Sequence, residues 1–269
     1  MVIDFHTHSF PDALAQRAMA VLKDNIPEGS EMVSYTDGTA DDAKRVLSAA
    51  GIDRAVVCNI ATNARHEANV NGYAISLIEK GDFFTPLGSL HPDSENIESE
   101  LDRLSEAGIK GVKLHPDYVR IPLSDERFDR IFSILEERNI FSVIHAGYDH
   151  VSPDKQHATP EMIRAVIDKH KKLKLVAAHM GGFNRACEVI DYLVGSNVYI
   201  DTSLSALRRG ELEKLHKILN SHNPERILFG TDTPWSNPVD ELNFIRNAPV
   251  SEEIKELILY KNASMLLGL

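Results

Sequence analysis

The chain has 269 residues, 43% hydrophobic and 26% charged, with a formal net charge of −11. That size and balance suit one soluble domain with a large buried core, show no membrane span, and oppose nucleic acid as a partner, because phosphate binding needs a positive surface. Two cysteines, Cys58 and Cys187, lack CxxC spacing and argue for neither a disulfide framework nor a cysteine zinc site.

The first expected strand, 2–8, contains Ile3-Asp4-Phe5-His6-Thr7-His8. Residues i and i+2 of a strand share a face, so His6 and His8 are spaced to grip one ion together; two separate surface imidazoles are the alternative. No basic region followed by an apolar stretch precedes this strand, so the expected location is the cytoplasm. A long gap follows, 9–40, with a helix-like stretch over 11–22 and a polar loop around Tyr35. Further strands are expected at 55–61, 84–92, 111–116, 141–147, 174–182, 198–203 and 227–235, and amphipathic segments separate them. After the first gap the strand starts lie roughly 24 to 33 residues apart, the length of one βαβ repeat.

Helix signals agree with this alternation. Ser124 reads as an N-cap ahead of Phe128, Ile131, Phe132 and Leu135 on one face. Thr159 precedes Pro160 at a first helical position, with Ile163, Val166 and Ile167 facing the sheet, and Gly108 and Gly195 stand where helices end. Eight such repeats predict a single-domain (β/α)8 barrel over residues 1–269, a TIM barrel with a segment inserted after strand 1 at the catalytic mouth. A doubly wound open sheet is the alternative, but no glycine-rich phosphate loop follows the first strand.

Catalytic residues of such barrels sit at the C-terminal ends of strands. Six of the twelve histidines fall there: His6, His8, His91, His115, His145 and His179. Asp232 ends the last strand within Phe229-Gly230-Thr231-Asp232-Thr233-Pro234, where a carboxylate needs a cation or hydrogen bonds. A metal ion would supply that cation.

The ordered series IDFHTH, GVKLHP, VIHAG, AHMGG and FGTDTPW, closing on KNASMLL, resembles the amidohydrolase superfamily, specifically its amidohydrolase-2 branch, over nearly the whole chain. The resemblance implies a divalent metal held by His6, His8, His145 and Asp232, zinc foremost, with manganese or iron as alternatives. It implies a catalytic Asp232, acting as ligand and proton shuttle, and a catalytic His179 that polarises the substrate oxygen or joins the ligands. The expected reaction is hydrolysis of a small-molecule amide, ester, lactone or related carbonyl by metal-activated water. Two alternatives stand beside it: a metal-dependent non-oxidative decarboxylase or hydratase of an aromatic or unsaturated acid, and a metal-binding barrel without turnover. A TatD-like nuclease fits poorly, since strand 4 reads Gly-Val-Lys-Leu-His and the chain is acidic.

His115, Tyr148 and Arg120 are the expected substrate-binding residues. Tyr35, Arg65, His91, Tyr118, Phe183, Arg185, Ser203 and Trp235 are further rim candidates; the decarboxylase reading requires a cationic clamp for the acid, for which Arg65, Arg120 and Arg185 are the candidates. Lys113 shares a face with His115; a carboxylated bridging lysine belongs to other branches, and a buried ion pair with Asp4, which points inward by alternation, is an equal alternative. The expected partner is a small-molecule substrate, with no nucleic acid or membrane, and a homo-oligomer stays open.

Overall fold

The computed structural model describes residues 1–26 and 32–269, so part of the expected insertion, residues 27–31, lies outside the described residues. Eight parallel strands pair in chain order: β1 (Ile3–Thr7), β2 (Arg54–Cys58), β3 (Phe84–Ser89), β4 (Gly111–Leu114), β5 (Phe141–Ile144), β6 (Leu175–Ala177), β7 (Tyr199–Asp201) and β8 (Ile227–Leu228). Phe5 N–H donates to the Phe229 carbonyl and His8 N–H to the Thr233 carbonyl, each at 2.7 Å, which joins the last strand segment back to the first. The expected (β/α)8 barrel is the observed fold.

The first crossover carries two helices, α1 (Asp12–Lys23) and α2 (Ala40–Ala49). Single helices α3 (Glu67–Ile78) and α4 (Ile97–Glu106) follow β2 and β3, and β4 leads into a short α5 (Pro116–Val119) and then α6 (Glu126–Glu137). The remainder are α7 (Pro160–Lys169), α8 (Ala186–Tyr192), α9 (Leu212–Ser221), α10 (Pro238–Arg246), α11 (Glu252–Glu256) and α12 (Asn262–Leu267). Thr159 caps α7 as expected, its side chain accepting from the Met162 N–H, with Pro160 in the first turn. At α6 the cap is Asp125 rather than Ser124: the carboxylate accepts from the Arg127 N–H at 3.0 Å, which moves the helix start one residue on.

Ile3, Phe5, Val56, Leu87, Phe141, Val143, Val176 and Leu228 pack as one buried cluster. The Phe5 and Phe141 rings lie 5.8 Å apart across the barrel interior. Gly111 is required here, since a Cβ would stand 2.4 Å from the Phe141 ring. A larger cluster joins the inner faces of the helices to the outer faces of the strands. Burial of these two apolar layers is the main force holding the barrel.

Candidate functional site

Three departures from regular strand geometry shape the catalytic end. Between the pairs Asp4 with Ala55 and Thr7 with Val57, β1 advances three residues while β2 advances two, which is a β-bulge. The bulge breaks the alternation expected for 2–8, so Asp4 does not meet Lys113. Asp4 instead accepts from the Thr231 hydroxyl at 2.6 Å and the Thr231 N–H at 2.9 Å, and burial pushes its carboxyl up to about 7.

The other two departures shorten the last expected strands. Within the segments 174–182 and 227–235 the regular strands span only Leu175–Ala177 and Ile227–Leu228. His179 and Met180 take φ of 59° and 58°, and Asp232 takes 66°, in the left-handed region that non-glycine residues seldom occupy. Backbone bonds hold the strained residues: Met180 N–H to the Asp201 carbonyl and Asp232 N–H to the His6 carbonyl, both 2.7 Å.

The hydrogen-bond partners assign the imidazole protons. His8 Nδ1 lies 2.8 Å from the Cys58 carbonyl oxygen, which can only accept, so His8 carries its proton on Nδ1. His6 Nδ1 lies 2.8 Å from a carboxylate oxygen of Asp201 and donates likewise. Both Nε2 lone pairs are thereby left facing Asp232 Oδ1, at 2.9 Å from His8 and 3.4 Å from His6. Lys113, fully buried, donates from Nζ to His6 Nε2 at 3.0 Å.

A second chain of bonds reaches His145. Ser203 Oγ donates to Asp201 and accepts from His179 Nδ1 at 2.8 Å, which leaves His179 Nε2 to accept from His145 Nδ1 at 3.1 Å. His145 Nε2 therefore carries a lone pair, and it is buried with no hydrogen-bond partner. His115 has the opposite tautomer. As N-cap of α5 its Nδ1 accepts from the Tyr118 N–H, so Nε2–H points toward Asp149 Oδ2, 3.5 Å away. The His115 and His145 rings stack with centroids 4.3 Å apart.

Burial sets the charges. It lowers His6, His115 and His179 well below the ordinary imidazole range, and His145 to about 4, so all four are neutral at pH 7. Burial acts to raise Asp232, but the neighbouring His6, His8 and Lys113 outweigh it and hold the carboxyl below its usual range. Burial raises Asp149.

Ligand-capable atoms of His6, His8 and Asp232 lie within 4.8 Å of one another and suit a metal ion. His145 groups instead with His115 and Asp149, and His179 with His6 and Asp201. The donor set fits a cation: His8 Nε2 and Asp232 Oδ1 are both acceptors yet stand 2.9 Å apart, and His145 Nε2 is orphaned. The tethered Nδ1 atoms provide the outer support that metal-binding imidazoles commonly have.

These residues form the base of a cavity of about 800 Å³. Tyr118, Tyr148, Phe183 and Trp235 line it, as expected for rim residues, as do His115 and His179. Arg120 does not; it is exposed at the end of α5 in a left-handed conformation, outside the cavity wall. Arg65 and Arg185 are also absent from the wall, and Arg185 pairs with Glu188 at 2.7 Å. His91 serves its own loop, with Nδ1 accepting from the Asp93 N–H at 3.1 Å, and Tyr35 lines a separate cleft with Asn237 and Asp240. Two acidic residues escaped the sequence reading: Asp201, which orients His6, and Asp149, which faces His115. Asp201 carried a usable signal, since it ends the apolar run Val198-Tyr199-Ile200 as Asp232 ends its own. Among the described residues no helix is long and apolar enough to cross a membrane.

Comparison with known proteins gives a consistent assignment. Residues 3–269 match the family described as Amidohydrolase. An uncharacterised TIM-barrel protein of Bordetella bronchiseptica superposes with a TM-score of 0.79 at 19% identity, covering 99% of this chain and 98% of that one. A 5-carboxyvanillate decarboxylase of Novosphingobium aromaticivorans, complexed with manganese and a nitrobenzoic acid, gives 0.73 at 17% identity, covering 100% and 96%. A probable 2-pyrone-4,6-dicarboxylic acid hydrolase of Acinetobacter baumannii gives 0.67 at 16%, covering 100% and 99%. No curated protein matches the chain in sequence.

Proposed function

Since the chain belongs to the amidohydrolase family, we propose that it is a metal-dependent hydrolase of a small-molecule amide, ester, lactone or related carbonyl compound. The observation that carries this reading is the pair of acceptors His8 Nε2 and Asp232 Oδ1 at 2.9 Å, which only a shared cation or proton reconciles. The proposed ligands are His6, His8, His145 and Asp232. Zinc suits three imidazoles and a carboxylate, with manganese and iron as the alternatives. Bound there, the metal supplies Lewis acidity and an activated water.

The protein's own groups do the rest. Asp232, ionised at neutral pH, receives a proton on its carboxylate and returns it to the leaving group. His115 presents Nε2–H and Tyr148 its hydroxyl as donors for the substrate's carbonyl end. His179 orients His145 in the arrangement seen, and donation to a substrate oxygen takes its other tautomer.

Elemental analysis of the wild type, His8→Ala and Asp232→Ala, with an ester, lactone and amide panel, tests the reading. About one metal per chain in the wild type and loss in both variants supports the ligand set; full retention in both overturns it. In His179→Asn, lost turnover with metal retained marks a catalytic role, and metal lost as well marks a positioning role.

A decarboxylase is the second reading, and Lys113 favours it. Among the described residues, Lys113 and Arg17 are the only lysine or arginine on the cavity wall, and Lys113 sits at its base, placed to receive a carboxylate. Carbon dioxide release from an aromatic-acid panel, abolished by Lys113→Met, would move the protein to that class.

A further inference from the structure

We infer that the outer half of the cavity is a binding site for an apolar tail, so that the substrate is an amphiphile: a carbonyl end at the polar base and an uncharged hydrocarbon body along α1. This rests on the hydrolase reading for the carbonyl end only.

The argument begins with α1. The helix buries Ala15 and Met19, with Met19 lying against Gly38, which accounts for one face. A second apolar stripe, Leu14, Ala18, Val21 and Leu22, lines the cavity instead. These positions follow the i, i+4, i+7, i+8 spacing of one helix face. Leu14 is 55% exposed and Val21 57%. Single exposed apolar side chains are ordinary, but a continuous stripe opening into the cavity that holds Asp232 is, among the described residues, an unmet hydrophobic surface. Ile60 and Val70 supply apolar surface to the same cavity from the β2 and α3 side.

Charge points the same way. Lys113, Asp149 and Asp232 are gathered with the histidines, whereas the cavity-facing part of α1 offers one cation, Arg17. A charged tail would give up hydration there with little return, while a hydrocarbon tail gains from covering the stripe. About 800 Å³ is also more room than a small carbonyl group fills, and falls in the range of sites that enclose drug-sized ligands.

The test uses straight-chain alcohols from butanol to octanol, which need no metal, titrated into the full-length protein before and after chelation. Trp235, the only tryptophan, lines the cavity and reports binding by its emission. The dissociation constant should tighten roughly threefold to fourfold per added methylene. The double variant Leu14→Ser, Val21→Ser should flatten that gradient to less than about twofold. Leu212→Ser, at an exposed leucine of α9 outside the cavity, should keep it. Equal affinity for butanol and octanol in the wild type, or a gradient the double variant retains, overturns the tail site. Binding with the gradient but no hydrolysis of any carbonyl panel removes the proposed reaction and leaves the tail site standing; hydrolysis without the gradient does the reverse.

Discussion

At the mouth of the barrel two pairs of imidazoles each face one carboxylate, and the pairs differ in where their protons lie. His6 and His8, beside Asp232, both give their Nδ1 protons to fixed acceptors and turn two lone pairs inward. His115 and His145, beside Asp149, present one N–H and one lone pair, because the α5 N-terminus occupies His115 Nδ1 while His179 accepts from His145 Nδ1. Equal residue types therefore give unequal chemistry. The first pair is built to hold a cation, and the second offers one further ligand atom and one donor for a substrate. Burial reinforces the contrast by keeping His6, His115 and His145 neutral, since a protonated ring neither ligates nor discriminates between its two nitrogens.

Substitutions break this contrast in graded fashion. Asp232→Ala should have the largest effect, removing the carboxylate common to ligation and proton transfer; turnover should fall roughly 10³-fold or more, with metal loss seen by elemental analysis. Asp201→Asn leaves every expected ligand in place but weakens the acceptor for His6 Nδ1, so metal affinity should drop about 10- to 100-fold in a chelator titration. Asp149→Asn acts on the second pair: the metal should stay at full stoichiometry while kcat/KM falls roughly tenfold, because the carboxylate facing His115 Nε2–H at 3.5 Å is lost. If Asp149→Asn strips the metal instead, the two pairs form one site and the contrast fails.

Glu241 sharpens the comparison, as a buried carboxyl with no imidazole beside it. It accepts from the Ser205 N–H at 3.1 Å and the Ala206 N–H at 3.2 Å, yet burial raises it well above the ordinary carboxyl range. A folded-state value above the unfolded one means stability that is fully present below the unfolded value and lost as pH rises through the folded value. Glu241→Gln is neutral throughout, so its melting temperature should rise relative to wild type as pH increases from about 4 upward. A melting difference that does not change with pH would show that the backbone N–H groups, not burial, set the charge of this residue.

Much of the site was legible because type and position coincided: a histidine or aspartate ending an apolar run marks a barrel strand at its catalytic end. His6, His8, His115, His145, His179 and Asp232 were found that way and all line one cavity. Where position alone was informative, the structure places the residues differently. Arg120 follows strand 4 closely, but the turn of α5 carries it outward. Lys113 was matched to Asp4 by alternation, and the bulge in β1 broke that pairing. At α6, Ser124 and Asp125 are both good caps, and only the observed bond to the Arg127 N–H separates them.

Local pattern was enough for the eightfold repeat, the barrel and the chemical character of its mouth, because hydrophobic periodicity and turn chemistry act over a few residues. Tautomer, charge and the identity of the outer supports belong to the tertiary structure. The partner that orients His6 is Asp201, 195 residues away in the chain, and the partner that orients His8 is a carbonyl 50 residues away. No spacing rule reaches that far: an imidazole's proton goes to whichever acceptor the closed barrel brings to 2.8 Å, and that is known only once the strands have met.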